Sequence, residues 1–233
     1  MNLQPQHSQA LVLYRTNYGE SDRIVTFLTK DFGKLKAIAK GVRKERSKLA
    51  AGVELFCTSE IGFIFGRSEL ATLISTRLIK DYHHFLNDLS RVEFGFESLK
   101  RLNKLLAEAA DSQYFTLAEA LLMALDDDAI DLNVVALWWR VNLMQLTGHG
   151  LNLRRTVDTQ AFKEKQHYAF DHRLGGFNLD PAGPFSASHI KLLQLAINYR
   201  PKTLARVRHV QRLASELNKA LVQFVDYHHQ IRV

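Results

Sequence analysis

The chain has 233 residues, 46% hydrophobic and 24% charged, with 31 lysines and arginines against 24 acids and a formal charge of +7. That balance excludes a disordered polymer, allows one or two domains with real cores, and points to an anionic partner. The single cysteine, Cys57, excludes an internal disulfide; with neither a signal-peptide pattern nor an apolar run of roughly twenty residues, a cytoplasmic protein with no membrane partner is expected.

Residues 9–80 read as short strands. Ala10 to Tyr14, Arg23 to Thr29 and Lys34 to Lys40 alternate or carry β-branched residues, with breaks around Gly19, at Gly33 and at Gly41. In the third of these, Leu35, Ala37 and Ala39 fall on one face and Lys34, Lys36, Ile38 and Lys40 on the other. Glu54 to Thr58, Ile61 to Phe65 and Ala71 to Thr76 follow. Five or six strands with no helical period between them predict a small closed barrel or sandwich.

Beyond Asp81 the period lengthens. Phe96, Leu99, Leu102 and Leu106 recur at helical spacing, as do Leu117, Leu121 and Leu125, then Val134, Leu137 or Trp138, Val141 and Met144. Gly148 and Gly150 end the third helix, and residues 150–185 read as irregular, broken by Gly175, Gly176, Pro181 and Gly183. Helices over about 186–199 and 202–228 complete the chain, the last with Leu213, Leu217, Leu221 and Phe224 on one face. The expectation is a multidomain α+β chain: a barrel over residues 1–80, then a helical domain over 81–233 with an irregular insertion.

The charge is not evenly spread. Between Lys30 and Lys48 stand eight bases (Lys30, Lys34, Lys36, Lys40, Arg43, Lys44, Arg46, Lys48) against Asp31 and Glu45, which is +6 of the chain's +7. Lysines at 34, 36 and 40 could simply guard a sheet edge against aggregation. That role does not explain Arg43, Lys44, Arg46 and Lys48 in a turn without matching acids, where repulsion favours a bound anion. A small barrel with a basic rim suits single-stranded nucleic acid, its cations following phosphates and its aromatics stacking on bases. Tyr14, Tyr18, Phe27, Phe32, Phe63 and Phe65 are within reach, and alternation would bury about half of them.

Signatures of catalysis are missing: no phosphate loop, no nucleophile elbow and no dinucleotide fingerprint occur. Asp126, Asp127 and Asp128 read as a solvated helix end, because consecutive carboxylates diverge whereas a hard cation needs convergent oxygens. Asp171, His172 and His167 read as a polar loop, and the pairs His83–His84 and His228–His229 as surface positions. A nuclease built on Asp126 to Asp128 or on Asp171–His172, and a generic RNA-binding module, are the alternative readings.

Leu11 to Leu13, Tyr18-Gly-Glu-Ser-Asp22, Gly33-Lys34, Gly41-Val-Arg43 and Ser47-Lys-Leu49 stand in an order and spacing that resembles the N-terminal domain of the RecO family of bacterial recombination mediators. The resemblance continues more weakly through the segment from Trp138 to Leu153. It implies an OB-fold barrel followed by a helical domain, binding single- and double-stranded DNA and annealing complementary strands without catalysis or cofactor, in association with the nucleoid. It also implies engagement of the acidic C-terminal tail of single-strand-binding protein (SSB), and work with RecR to load RecA; dependence on RecF is left open. DNA contacts are expected from Lys34, Lys36, Lys40, Arg43, Lys44, Arg46, Lys48 and Arg67. Arg140, beside Trp138 and Trp139, and Arg154 with Arg155 are candidates for the SSB tail, since guanidinium pairs bidentately with carboxylate. One departure concerns zinc. Where many relatives carry CxxC ligands this chain has Thr156 and Thr159, and the Gly175 to Asp180 stretch also lacks thiols, so the loop is expected to fold without metal.

Overall fold

A computed structural model of the chain describes residues 4–66, 70–107 and 111–229. Five strands, β1 (Gln6–Tyr18), β2 (Asp22–Thr29), β3 (Gly33–Ala39), β4 (Cys57–Ile64) and β5 (Ala71–Asp81), close into a barrel in the order β1-β2-β3-β5-β4. The predicted strands at 54–58 and 61–65 are a single strand, β4, preceded by a turn of 3₁₀ helix at Ala51–Val53. All pairings are antiparallel except β3 with β5, which meet in parallel over only Ala37 with Ala71 and Ile38 with Thr72. This is the OB-like topology that the resemblance implied.

The alternation in β3 is seen directly: Leu35, Ala37 and Ala39 are buried and Lys36 is exposed. They share the barrel core with Ala10, Val12, Val25, Phe27, Val42, Val53, Ile61, Phe63 and Leu73.

The chain divides into two compact units, Met1–Asp126 and Asp127–Val233. The first holds the barrel with α1 (Leu89–Leu105) and α2 (Ser112–Leu125); the second holds α3 (Leu132–Leu146), α4 (Ala187–Asn198), α5 (Pro201–Leu204) and α6 (Val210–His229). Aspartates 88, 111 and 131 cap α1, α2 and α3 by accepting from backbone N–H groups of their first turns. The expected apolar faces are buried, including Leu99, Leu102, Leu121, Leu137, Leu217 and Phe224, but Phe96 is 46% exposed and rests edge-on against Phe56. The helix expected over 202–228 is interrupted. His209 takes φ +58°, a left-handed conformation that an α-helix cannot contain, so a short α5 precedes α6.

The segment read as irregular is more ordered than expected. Residues 167–186 carry an antiparallel sheet, β7 (Gly176–Leu179), β6 (His167–Asp171) and β8 (Phe185–Ser186) in that spatial order. The Phe170 and Phe177 rings pack at a tilt within it, and Phe170 meets Phe224 of α6 at 5.7 Å, so aromatic packing holds the sheet on the helix. Among the described residues no helix is long and apolar enough to cross a membrane.

Candidate nucleic-acid interface

The basic segment leaves β3 through Gly41, whose φ of +63° suits a residue without a Cβ. Two contacts fix this corner to the β1–β2 turn. The Asp22 carboxylate accepts the Gly41 N–H at 2.7 Å, and the Arg43 N–H donates to Ser21 O at 2.9 Å. The Arg43 guanidinium also reaches Gly19 O at 3.4 Å. Thus the Tyr18–Asp22 and Gly41–Arg43 motifs, twenty residues apart, form one structural corner.

From there the chain runs through hydrogen-bonded turns, Lys44 N to Gly41 O and Ser47 N to Lys44 O. Val42 is 3% exposed and plugs into the barrel core, with Leu49 and Ala50 packed against the same cluster. The far end is pinned by close approach: a Cβ on Gly52 would stand 2.3 Å from Thr76 Cβ, and Thr76 Oγ1 donates to Leu49 O at 3.3 Å. Apolar anchors therefore point inward, and Lys40, Arg43, Lys44, Arg46 and Lys48 are all exposed. Among the described residues, none of these five, nor Lys36, pairs with a carboxylate. Nearby Arg15 and Arg23 do, sharing Glu54 between them.

Two expected cations stand apart from this set. Lys34 turns to the end of α1, donating to Asn103 O and, at 3.3 Å, to Leu106 O, and so serves as a helix C-terminal cation. Arg67 lies outside the described residues. Barrel closure also weakens the edge-guarding explanation for the lysines, since β3 has neighbours on both sides, although only Ala37 and Ile38 are paired with β5. Of the six aromatics, Phe27 and Phe63 are fully buried, whereas Tyr14, Tyr18, Phe32 and Phe65 are between 37% and 55% exposed.

In the second unit Trp138 and Trp139 are core residues, 3% and 2% exposed, so they offer no open aromatic pocket. Arg140 is half-buried and hydrogen-bonded to Asn218 Oδ1 at 2.5 Å; Asn218 Nδ2 in turn donates to Asn133 O. Arg154 and Arg155 are exposed.

The acids considered for catalysis have structural duties. Asp126 accepts from His84 N at 2.8 Å, and Asp127 accepts from Ala129 N and pairs with Lys202. Asp171 accepts from Leu174 N and Arg173 N, and those backbone hydrogen bonds hold its carboxyl below the usual range. His167 faces Gly183 O, and His172 meets the Tyr227 ring. His228 and His229 are half-buried rather than surface residues, with His229 Nε2 3.1 Å from Thr147 Oγ1 and the His149 and His228 rings 4.9 Å apart. Burial pushes the Cys57 thiol up to about 11, which suits a buried hydrophobe rather than a nucleophile.

The zinc site that the resemblance implies for other family members does not fit the residues present here. Thr156 is 2% exposed, and its hydroxyl oxygen accepts the Gln160 N–H at 2.9 Å, while the Thr159 N–H donates to Thr156 O. Neutral hydroxyls in a turn closed by its own hydrogen bonds are not zinc ligands. Among the described residues no group of three or more His, Cys, Asp or Glu side chains is placed to hold a metal ion.

Comparison with known proteins agrees with this architecture. The chain matches the family model for the N-terminal part of recombination protein O over residues 1–82 and the model for its C-terminal part over residues 102–233. It is similar to the DNA repair protein RecO of Clostridium novyi, 26% identical over 222 residues that cover 94% of this chain and 86% of that one. The DNA repair protein RecO of Alkaliphilus metalliredigens is 26% identical over 229 residues, covering 95% and 92%. That of Syntrophus aciditrophicus is 27% identical over 240 residues, covering 97% and 92%. With its barrel matched by one model and most of the remainder by the other, the chain belongs to the RecO family.

Proposed function

We propose that this chain is a non-enzymatic recombination mediator in DNA repair, which binds single- and double-stranded DNA on the basic face of its barrel and anneals complementary strands. The observation that carries the reading is the set of Lys36 on β3 and Lys40, Arg43, Lys44, Arg46 and Lys48 on the loop anchored at both ends, all exposed and without carboxylate partners among the described residues. Two phosphate backbones repel each other, and a fixed cationic surface between them lowers that repulsion without any covalent step. DNA binding of this kind carries little sequence preference.

The family's wider partnerships extend the proposal. The acidic C-terminal tail of SSB would pair with guanidinium groups of the second unit; exposed Arg154 and Arg155 support this, and Arg140 acts there only with its bond to Asn218 kept or exchanged. RecR would join the chain in loading RecA on SSB-coated DNA, with any role for RecF following from that assembly. The test is annealing of SSB-coated complementary oligonucleotides without ATP, across a salt series. Acceleration that fades steeply with salt is expected. Absence of acceleration at low salt, or Mg²⁺-dependent cleavage of the strands lost on changing Asp126 or Asp171, would overturn the reading in favour of a passive binder or a nuclease.

A further inference from the structure

The outer face of the barrel beside the basic loop carries two tyrosines whose placement depends on an irregularity. Ala10 and Val12 of β1 point into the core, and strict alternation would send Tyr14 after them. A register shift between Val12 and Tyr14 re-phases the strand. Tyr14 then pairs with Thr26, and Thr26 with Lys36, so the three share one row on the outside of β1, β2 and β3. The next outward row is Thr16, Ile24 and Ile38, and beyond it Tyr18 pairs with Asp22, next to Lys40 and the basic corner. Tyr14 and Tyr18 are each 55% exposed.

The result is a rectangle. Tyr14 and Tyr18 stand along β1 with backbone positions about 13 Å apart at roughly 3.3 Å per residue, and Lys36 and Lys40 stand along β3 about 10 Å to the side, two strand spacings away. Half-buried Ile24 and Ile38 make an apolar floor between them. A single strand laid along β1 would set bases on the rings and phosphates toward the lysines. A duplex, whose bases are already stacked, gains only the phosphate interactions. Resting on the DNA-binding reading above, we propose that Tyr14 and Tyr18 are base-stacking residues that give this face its preference for single-stranded over double-stranded DNA.

The experiment compares binding of a fluorescein-labelled thymidine oligonucleotide and of a mixed-sequence duplex by the full chain and by Tyr14→Ala, Tyr18→Ala, Tyr14→Phe and Tyr18→Phe variants. Each Ala change should weaken single-strand binding about tenfold. Duplex binding and the slope of affinity against salt should be unchanged, and each Phe variant should bind as the parent chain does. Ultraviolet cross-linking of a bromodeoxyuridine strand should map to Tyr14 or Tyr18. Ala variants that bind the single strand normally, or equal losses on strand and duplex, overturn the stacking role while leaving DNA binding intact. A parent chain that binds neither oligonucleotide overturns the underlying reading as well.

Discussion

The carboxylate of Asp22 holds the backbone N–H of Gly41 at 2.7 Å, so one acid positions the corner from which the basic loop departs. Asp22→Ala raises the net charge, which by Coulomb attraction alone should tighten DNA binding. The expected result is the opposite: weaker binding, with about 1–2 kcal/mol lost from unfolding stability, because an N–H bonded to a charged acceptor loses its partner and the corner loosens. Asp22→Asn, which keeps an acceptor oxygen, should recover most of both. Urea melts and a DNA titration check this, and tighter binding by the Ala variant would reject it.

The loop cations should act as counted charges. Replacing Arg43, Lys44, Arg46 and Lys48 together by Ala should flatten the dependence of log affinity on log salt by roughly 3 for single strands, at about 0.7 for each phosphate no longer neutralised. Fluorescence anisotropy between low and moderate salt measures the slope. An unchanged slope would mean that these side chains meet no phosphate.

Lys34 should behave differently from its neighbours in sequence. Its ammonium serves the Asn103 and Leu106 carbonyls. Lys34→Ala should therefore cost about 1 kcal/mol of stability and leave the salt slope as it is. A fall in slope equal to that for Arg43→Ala would return Lys34 to the DNA surface.

Asp171 predicts a pH effect in the second unit. Hydrogen bonds from the Leu174 and Arg173 N–H groups lower its folded pKa, so its contribution is present above the ordinary aspartate value of about 3.9 and is lost as pH falls through the lowered one. Asp171→Asn should lower stability near neutrality and flatten the acid limb of a stability–pH curve, the two chains converging at the acid end. Chemical denaturation at stepped pH gives the comparison, and a loss at pH 7 no larger than the loss at the acid end would refute it.

Cys57 should be inert while the chain is folded. With its thiol raised to about 11, only about one molecule in a thousand carries the thiolate at pH 8, and the side chain is 2% exposed. Ellman's reagent should label it only on unfolding, and rapid stoichiometric labelling of the native chain would contradict this.

Much of this was legible in the residues. The alternation of Leu35, Ala37 and Ala39 marked the core face of β3, and the spacing of Leu213, Leu217, Leu221 and Phe224 marked the buried face of α6. What stayed hidden depended on partners distant in sequence. Nothing in a lysine's neighbours says where its ammonium will go, so Lys34 could not be separated from Lys36. The strands of the small sheet, five residues or fewer, are too short to show a period. The register shift that turns Tyr14 outward leaves no residue signature, since neither glycine nor proline marks it.

If the loop holds DNA as proposed, the close fit of Gly52 against Thr76 has a consequence for that binding. A loop already fixed at both ends loses little conformational freedom when a strand arrives, so capture spends little entropy on the protein side. Phosphates repeat along the strand and the grip has no sequence register, so a captured strand can still slide across the same cations. On the proposed annealing role, rigidity in the protein would leave the freedom with the DNA, which two strands need while they search for their matching alignment.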